Sequence, residues 1–579
     1  VTHRGPLLEI NDLHVAFATR HGEHPVLQGV STSIAPGEIV GIVGESGSGK
    51  TLLARSILRL WPQGARCTGG AIRLEGTNLL QLPEHEMRRI RGASVGMVFQ
   101  EPMMSLNPAL KVGFQLTEGL RLHSGLSRTE ARAQIATMLS TIGFPDPEGS
   151  LERYPHEFSG GMRQRLMLAS VLSLRPRLLI ADEPTTALDA IIARQVLETM
   201  VSRSRELGAA VMLVSHDLSA VCRYADRVVV MRGGHVVESG TTREILLEPQ
   251  DPYTRALLEA LPSRRPRPGP AASPEPIAEL RQVTVGYATR AAVPWRRAHV
   301  DVLHAVSLRV HAGETVAVVG ESGSGKTTLG RALLGLVPLR AGTVRLLGTE
   351  LSPRRHDLPP EIRRRAQLVF QDPFASLDPR MRIGAIIAEG LRGQHLTAAH
   401  RDARVASVLD DVGLRPEHAA RFPHELSGGQ RQRVGIARAL VTNPSLIVAD
   451  EPVSALDVTV QAQVLSLLET LQARFGFALL FVSHDLGVIA QVADTIAILR
   501  RGRLLEWGPA DSILCAPRHP YTRELWAAAP RLRKLNRGYA LAAQRAPDIA
   551  PPAGWRYDGG DRAELLELAP GHFALCERS

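Results

Sequence analysis

Runs of four or five small apolar residues recur along the chain, each closed by glycine or a polar residue: Ile39-Val-Gly-Ile-Val43, Leu178-Leu-Ile-Ala181, Val211-Met-Leu-Val214 and Leu479-Leu-Phe-Val482. Runs this short and this uniformly apolar predict buried parallel strands, because a strand covered on both faces has no polar side to alternate with. Longer stretches of helical character, such as Arg163 to Leu174, lie between them, so the pattern predicts an α/β core. The mostly polar stretch between Gln100 and Ser159, and its twin between Gln371 and Ser427, predicts an inserted helical lobe. No apolar run reaches the ~18 residues of a membrane-crossing helix. Glu9 and Asp12 break the start of the chain too early for a secretory leader, so the expectation is a chain that stays in the cytoplasm.

The pattern also repeats. Gly-Glu-Ser-Gly-Ser-Gly-Lys-Thr stands at 44–51 and again at 320–327, and later landmarks recur at a displacement of about 270 residues: Gln100 with Gln371, Ser159 with Ser427, Asp182 with Asp450, His216 with His484. A near-constant displacement means duplicated domains. Six prolines among small residues in 262–276 form a stretch that extends and builds no core. The expected organisation is therefore a first domain over 7–262, a linker over 263–276, a second domain over 277–530 and a tail of unassigned role over 531–579.

Composition narrows the class. At 579 residues, with 44% apolar and 22% charged, the chain is a folded protein of several domains. The four cysteines are far apart with no C-x-x-C pair, which predicts reduced structural thiols and neither a zinc site nor a disulfide framework. A net charge of +10 is spread thinly, with only short clusters such as 363–365, so a nucleic-acid face is not expected.

The repeated glycine-rich loop follows a strand-like run and precedes a helix-like one, where backbone N–H groups can wrap phosphates at the positive end of a helix. Gly44, Ser46, Gly47 and Gly49 build the first loop, and Gly320, Ser322, Gly323 and Gly325 the second. Lys50 and Lys326 would neutralise phosphate charge, while Thr51 and Thr327 would offer hydroxyls to magnesium. Asp182-Glu183 and Asp450-Glu451 end strand-like runs, the Asp suited to magnesium and the Glu to a general base acting on water. His216 and His484, each within Ser-His-Asp-Leu, are placed to meet a γ-phosphate.

Phe158-Ser-Gly-Gly-Met-Arg-Gln-Arg165 and Leu426-Ser-Gly-Gly-Gln-Arg-Gln-Arg433 complete the set, and with them the chain resembles the nucleotide-binding subunits of ATP-binding cassette transporters over roughly residues 7 to 530. The resemblance implies two tandem P-loop NTPase domains, each a RecA-like core with an antiparallel β subdomain and an inserted helical subdomain, binding ATP and Mg2+. It implies an intramolecular cassette dimer, in which the loop of one half and Ser159, Gly160, Gly161 or Ser427, Gly428, Gly429 of the other share one ATP. It implies that Gln100 and Gln371 sense magnesium and the attacking water, and that Phe17 and Tyr287 stack on adenine. Two departures stand out: Leu52 occupies the place of Thr328, removing one hydroxyl from the first loop, and Met162 replaces the usual Gln of the signature.

Asp251-Pro-Tyr-Thr and His519-Pro-Tyr-Thr close the two halves. These tags resemble the oligopeptide, dipeptide and nickel import branch, here with its usual pair of subunits fused. The resemblance implies peptide-transporting ATPase activity, two transmembrane permease subunits and an extracytoplasmic substrate-binding protein as partners, and a peripheral place on the cytoplasmic face of the membrane. It leaves dipeptide, oligopeptide, nickel chelate and glutathione undistinguished. Cys576 stands alone in the tail, so no iron–sulfur cluster is expected. A soluble twin-cassette ATPase of translation or DNA repair is the alternative. It fits less well, because the linker is short and proline-rich where a translation factor has a long charged helix, and zinc cysteines and coiled coils are absent.

Overall fold

The computed structural model describes residues 5–19, 22–100, 105–186, 188–261, 275–290, 297–354, 357–372, 375–454, 456–529, 532–535, 538–541, 549–557 and 563–578. The chain forms two compact units, residues 1–261 with 530–543, and residues 262–529 with 544–579. Most of the proline-rich linker lies outside the described residues.

In the first unit the apolar runs become the middle of a six-stranded sheet. Its order is Val95–Val98, Leu178–Asp182, Ala210–Val214, Ile39–Val43 and Arg227–Arg232, all parallel, with His235–Thr241 antiparallel at the edge. Every residue of Ile39–Val43, Leu178–Asp182 and Ala210–Val214 is buried, which is why these runs carry no alternation. A four-stranded antiparallel sheet, built by Leu8–Thr19, Gly22–Ile34, Ala65–Leu74 and Thr77–Asn78, shares one apolar core with it. The stretch after Gln100 folds into the helices Val112–Ser124, Arg128–Thr141 and Pro147–Leu151, and the helix Gly160–Ser173 packs against the first two.

The second unit repeats this plan. Ala366–Val369, Leu446–Asp450, Ala478–Val482, Thr315–Val319 and Thr495–Arg500 run parallel, and Arg503–Pro509 is antiparallel beside them. A four-stranded sheet led by Ala278–Arg290 mirrors the first unit's. Phe477 and Phe481, both fully buried, fill the core between the sheet and the helical lobe.

The tail has two destinations. Leu532–Lys534 and Tyr539–Leu541 form a hairpin belonging to the first unit, where it packs on the helices Thr242–Leu247 and Leu218–Tyr224. Gly538 there has a positive φ and lies so close to the backbone of Leu246 and Leu247 that a Cβ would overlap it. Further on, His572–Arg578 pairs with Arg503–Pro509 and, with Trp555–Tyr557 and Glu564–Ala569, enlarges the central sheet of the second unit. All four cysteines are free thiols, and burial pushes that of Cys222 up to about 12. No helix among the described residues is long and apolar enough to cross a membrane.

Candidate functional site

Each glycine-rich loop joins the middle strand of its sheet to a helix, Lys50–Ile57 or Lys326–Leu333. The turn is possible because Gly47 and Gly49, like Gly323 and Gly325, adopt positive φ. Lys50 and Lys326 are buried under their own loops. Nζ of Lys50 donates to the carbonyls of Gly44 at 2.7 Å and Glu45 at 2.8 Å, and Nζ of Lys326 to those of Gly320 and Glu321, both at 2.8 Å. Each ammonium thus rests on carbonyl dipoles that a phosphate can replace.

The hydroxyls of Thr51 and Thr327 donate to Oδ1 of Asp182 and Asp450, each at 3.0 Å. Burial raises both Asp carboxyls above their ordinary range, and the threonine bonds offset this only in part. Oδ2 of Asp182 is buried with no hydrogen-bond partner among the described residues. A buried carboxylate oxygen left without a donor, beside a hydroxyl oxygen, is a hard-oxygen set that fits Mg2+.

Glu183 and Glu451 follow with φ of 47° and 46°, a left-handed backbone that is rare for such residues. The conformation is held by backbone bonds from Glu183 N–H to the carbonyl of Val214 and from Glu451 N–H to that of Val482, both 2.9 Å. It turns each carboxylate toward two groups distant in sequence. Gln100 and Gln371 donate through Nε2 at 2.8 Å, and Nδ1 of His216 and His484 lie 3.3 and 3.1 Å away. Burial acts to raise these Glu carboxyls, but the bonded and charged His, with Lys50 or Lys326 nearby, holds them below the ordinary value. The same contacts raise the two His, most of all through the hydrogen bond to Glu. With Nδ1 on the carboxylate, only Nε2 of each His can reach a phosphate.

The structure therefore brings Lys50, Thr51, Asp182, Glu183, Gln100 and His216 together in one unit, and Lys326, Thr327, Asp450, Glu451, Gln371 and His484 in the other. The ABC transporter family description matches residues 27–186 and 303–454, and that of the oligopeptide/dipeptide transporter C-terminal region matches 237–282 and 505–559. The chain belongs to the ABC transporter family. The peptidoglycan transport ATP-binding protein YejF of Agrobacterium fabrum is 45% identical over 91% of this chain and 97% of its own length. The glutathione import ATP-binding proteins GsiA of Shigella dysenteriae and Escherichia coli are 43% and 42% identical, each over 99% of this chain and 97% of their own. As a tandem ABC subunit, the chain is an ATPase whose hydrolysis is coupled to transport.

Within this ABC subunit the signature segments start the helices Gly160–Ser173 and Gly428–Leu440, capped by Ser159 and Ser427. Ser427 accepts from Gln430 N–H at 3.3 Å and Gln430 Oε1 accepts from Ser427 N–H at 3.0 Å, a reciprocal pair. Met162 lacks that oxygen, so Ser159 keeps only the forward bond, at 3.4 Å. Met162→Gln is expected to restore the pair and raise unfolding stability by about 0.5–1 kcal/mol. Denaturant unfolding of the full chain checks this, and an unchanged or lower midpoint contradicts it.

The halves differ further in their side-chain contacts and burial. The hydroxyl of Thr186 donates to the Glu183 carboxylate at 2.9 Å, whereas its counterpart Ser454 turns to the backbone carbonyl of Glu451 at 3.1 Å. Leu52 is buried in the first core, while Thr328 is only half-buried. Phe17 packs partly against the first core, and Tyr287 is 42% exposed. Asp189 and Asp457 cap the helices Ala190–Leu207 and Val458–Phe475. A capping Asp is plain in the sequence; the reach of Thr186 depends on the turn after Glu183.

Proposed function

We propose that this subunit energises import of glutathione and short peptides through a separate permease. Lys50 and Lys326 leave their loop carbonyls for the phosphates, and the loops' backbone N–H groups receive the phosphate oxygens. Asp182 with Thr51, and Asp450 with Thr327, would hold Mg2+, Gln100 and Gln371 completing its surroundings; bound there, the ion supplies charge neutralisation to the phosphates. Glu183 and Glu451, kept ionised by their His partners, accept the proton of the attacking water. His216 and His484 offer Nε2 to the γ-phosphate. Phe17 and Tyr287 are assigned to the adenine ring.

The signature turns Ser159–Gly161 and Ser427–Gly429 supply helix-start N–H groups to the nucleotide held by the opposite half, so the fused pair acts as an intramolecular dimer. Steric space supports this assignment. Among the described residues, a Cβ at Gly160 or Gly428 would meet only one leucine methyl, at 3.7 or 3.8 Å, so their packing does not demand glycine there. The partners are two transmembrane permease subunits and an extracytoplasmic substrate-binding protein, with the chain peripheral on the cytoplasmic face of the membrane.

One observation carries the reading: the same Lys, Thr, Asp, Glu, Gln and His converge in both halves, each half ending in the peptide-transporter C-terminal region. Proteoliposomes holding the cognate permeases, the binding protein and this chain are expected to accumulate labelled glutathione or dipeptide only with internal ATP. ATP hydrolysis without stimulation by the permeases and without uptake would refute it.

A further inference from the structure

The Pro-Tyr-Thr tags mark a family branch, yet nothing in the proposed chemistry uses them. In the first unit Asp251 caps the helix Pro252–Glu259, its carboxylate accepting the N–H of Tyr253 at 2.7 Å, and Pro252 occupies the first turn, where a missing N–H costs nothing. Glu238 fixes the approach to this helix by accepting the N–H groups of Gln250 at 2.8 Å and Asp251 at 3.1 Å. The buried ring of Tyr253 is thereby delivered beneath the guanidinium of Arg232, 4.9 Å from its centroid. Its hydroxyl oxygen accepts the N–H of Glu45, at 3.0 Å.

That N–H belongs to the peptide unit whose carbonyl, on Gly44, accepts from Lys50 at 2.7 Å. One peptide plane is thus held from both ends, by the lysine on its carbonyl side and the tyrosine on its amide side. Gly44, at φ 151°, has the backbone freedom to let this plane rotate, and it must remain glycine because a Cβ would lie 2.1 Å from the carbonyl oxygen of Met231. When the lysine turns to a phosphate, the tyrosine still holds the amide side.

The second unit repeats the mounting of the ring. His519 caps the helix Pro520–Ala528 through Nδ1, Glu506 accepts the N–H groups of Arg518 and His519, and Arg500 lies 4.4 Å from the Tyr521 ring centroid. Arg500 also approaches Glu321 of the second loop at 3.6 Å.

We propose that Tyr253 is a positioning residue for the first phosphate loop: its hydroxyl fixes the Gly44–Glu45 peptide, so that the Pro-Tyr-Thr element sets the affinity of that loop for nucleotide. The inference rests on the reading of residues 44–51 as a phosphate loop. The test uses the full chain carrying Lys326→Ala, in which equilibrium binding of labelled ATP with Mg2+ reports the first loop. Adding Tyr253→Phe, which keeps the ring and deletes the hydroxyl, is expected to weaken binding about fivefold, the equivalent of one hydrogen bond of about 1 kcal/mol. In the otherwise unaltered chain the same change raises KM for ATP by a similar factor with kcat nearly constant, the pattern of lost uniform binding. Tyr521→Phe in the Lys326→Ala chain is expected to leave binding at the first loop unchanged. Unchanged affinity in Tyr253→Phe overturns the proposal, as does an equal loss in both tyrosine variants together with a lowered unfolding temperature. The underlying reading fails separately, if Lys50→Ala in the same chain still binds ATP with unchanged affinity.

Discussion

Replacing Glu183 and Glu451 together by Gln is expected to slow ATP hydrolysis by about two to four orders of magnitude while leaving ATP bound, because general-base assistance is worth a factor of this size. The substitution is close to neutral in shape. A Gln carbonyl oxygen can still accept from Gln100 or Gln371, whose Nε2 groups donate to the native carboxylates at 2.8 Å, and the backbone bonds to Val214 and Val482 that hold the left-handed turn do not involve the side chain. What disappears is the negative charge that takes a proton from water and that draws His216 and His484 toward protonation. Nucleotide should therefore be retained unhydrolysed, and chromatography of acid-quenched protein should recover ATP and not ADP. Turnover within about twofold of the native rate would show that neither carboxylate is the base.

The second large effect separates two adjacent glycines. A Cβ on Gly161 would lie 2.3 Å from Cγ2 of Ile192, a β-branched side chain with little freedom to move, and one on Gly429 would lie 2.5 Å from Cγ1 of Val460. Gly161→Ala is accordingly expected to cost about 1–3 kcal/mol of stability through overpacking. Gly160→Ala meets, among the described residues, only a leucine methyl at 3.7 Å and should fold normally. In the proposed function, however, a phosphate approaches the backbone at Ser159 and Gly160, and a methyl group there displaces it from preorganised donors; loss of one such donor costs about 10²–10³ in rate. Gly160→Ala should therefore keep its unfolding midpoint and lose ATPase activity. Native turnover in that variant would remove the signature from the nucleotide site.

Much of this was legible along the chain because its signals are local. The uniformly apolar runs at Ile39–Val43 and Leu178–Ala181 read as strands since burial on both faces leaves no polar alternation, and the repeated spacing of loop, carboxylates and His gave the duplication. The tail was opaque for the opposite reason. Nothing near Leu532–Leu541 states that its hairpin belongs to the first unit, or that His572–Arg578 enlarges the second unit's sheet, because both pairings join residues remote in sequence.

The same division runs through the site. Sequence by itself determined which groups are present: two Lys, two Thr, two Asp-Glu pairs, two Gln and two His, with Leu52 and Met162 as departures. Tertiary structure decided whom they meet. The positive φ of Glu183 and Glu451, the third donor that Thr186 gives to one carboxylate and Ser454 withholds from the other, and the hydroxyl of Tyr253 on the amide of Glu45 are all set by how strands and turns converge. A backbone in a rare conformation persists only where surrounding contacts over-determine it. Those contacts lie on separate strands and helices, which a linear pattern can name but cannot bring together.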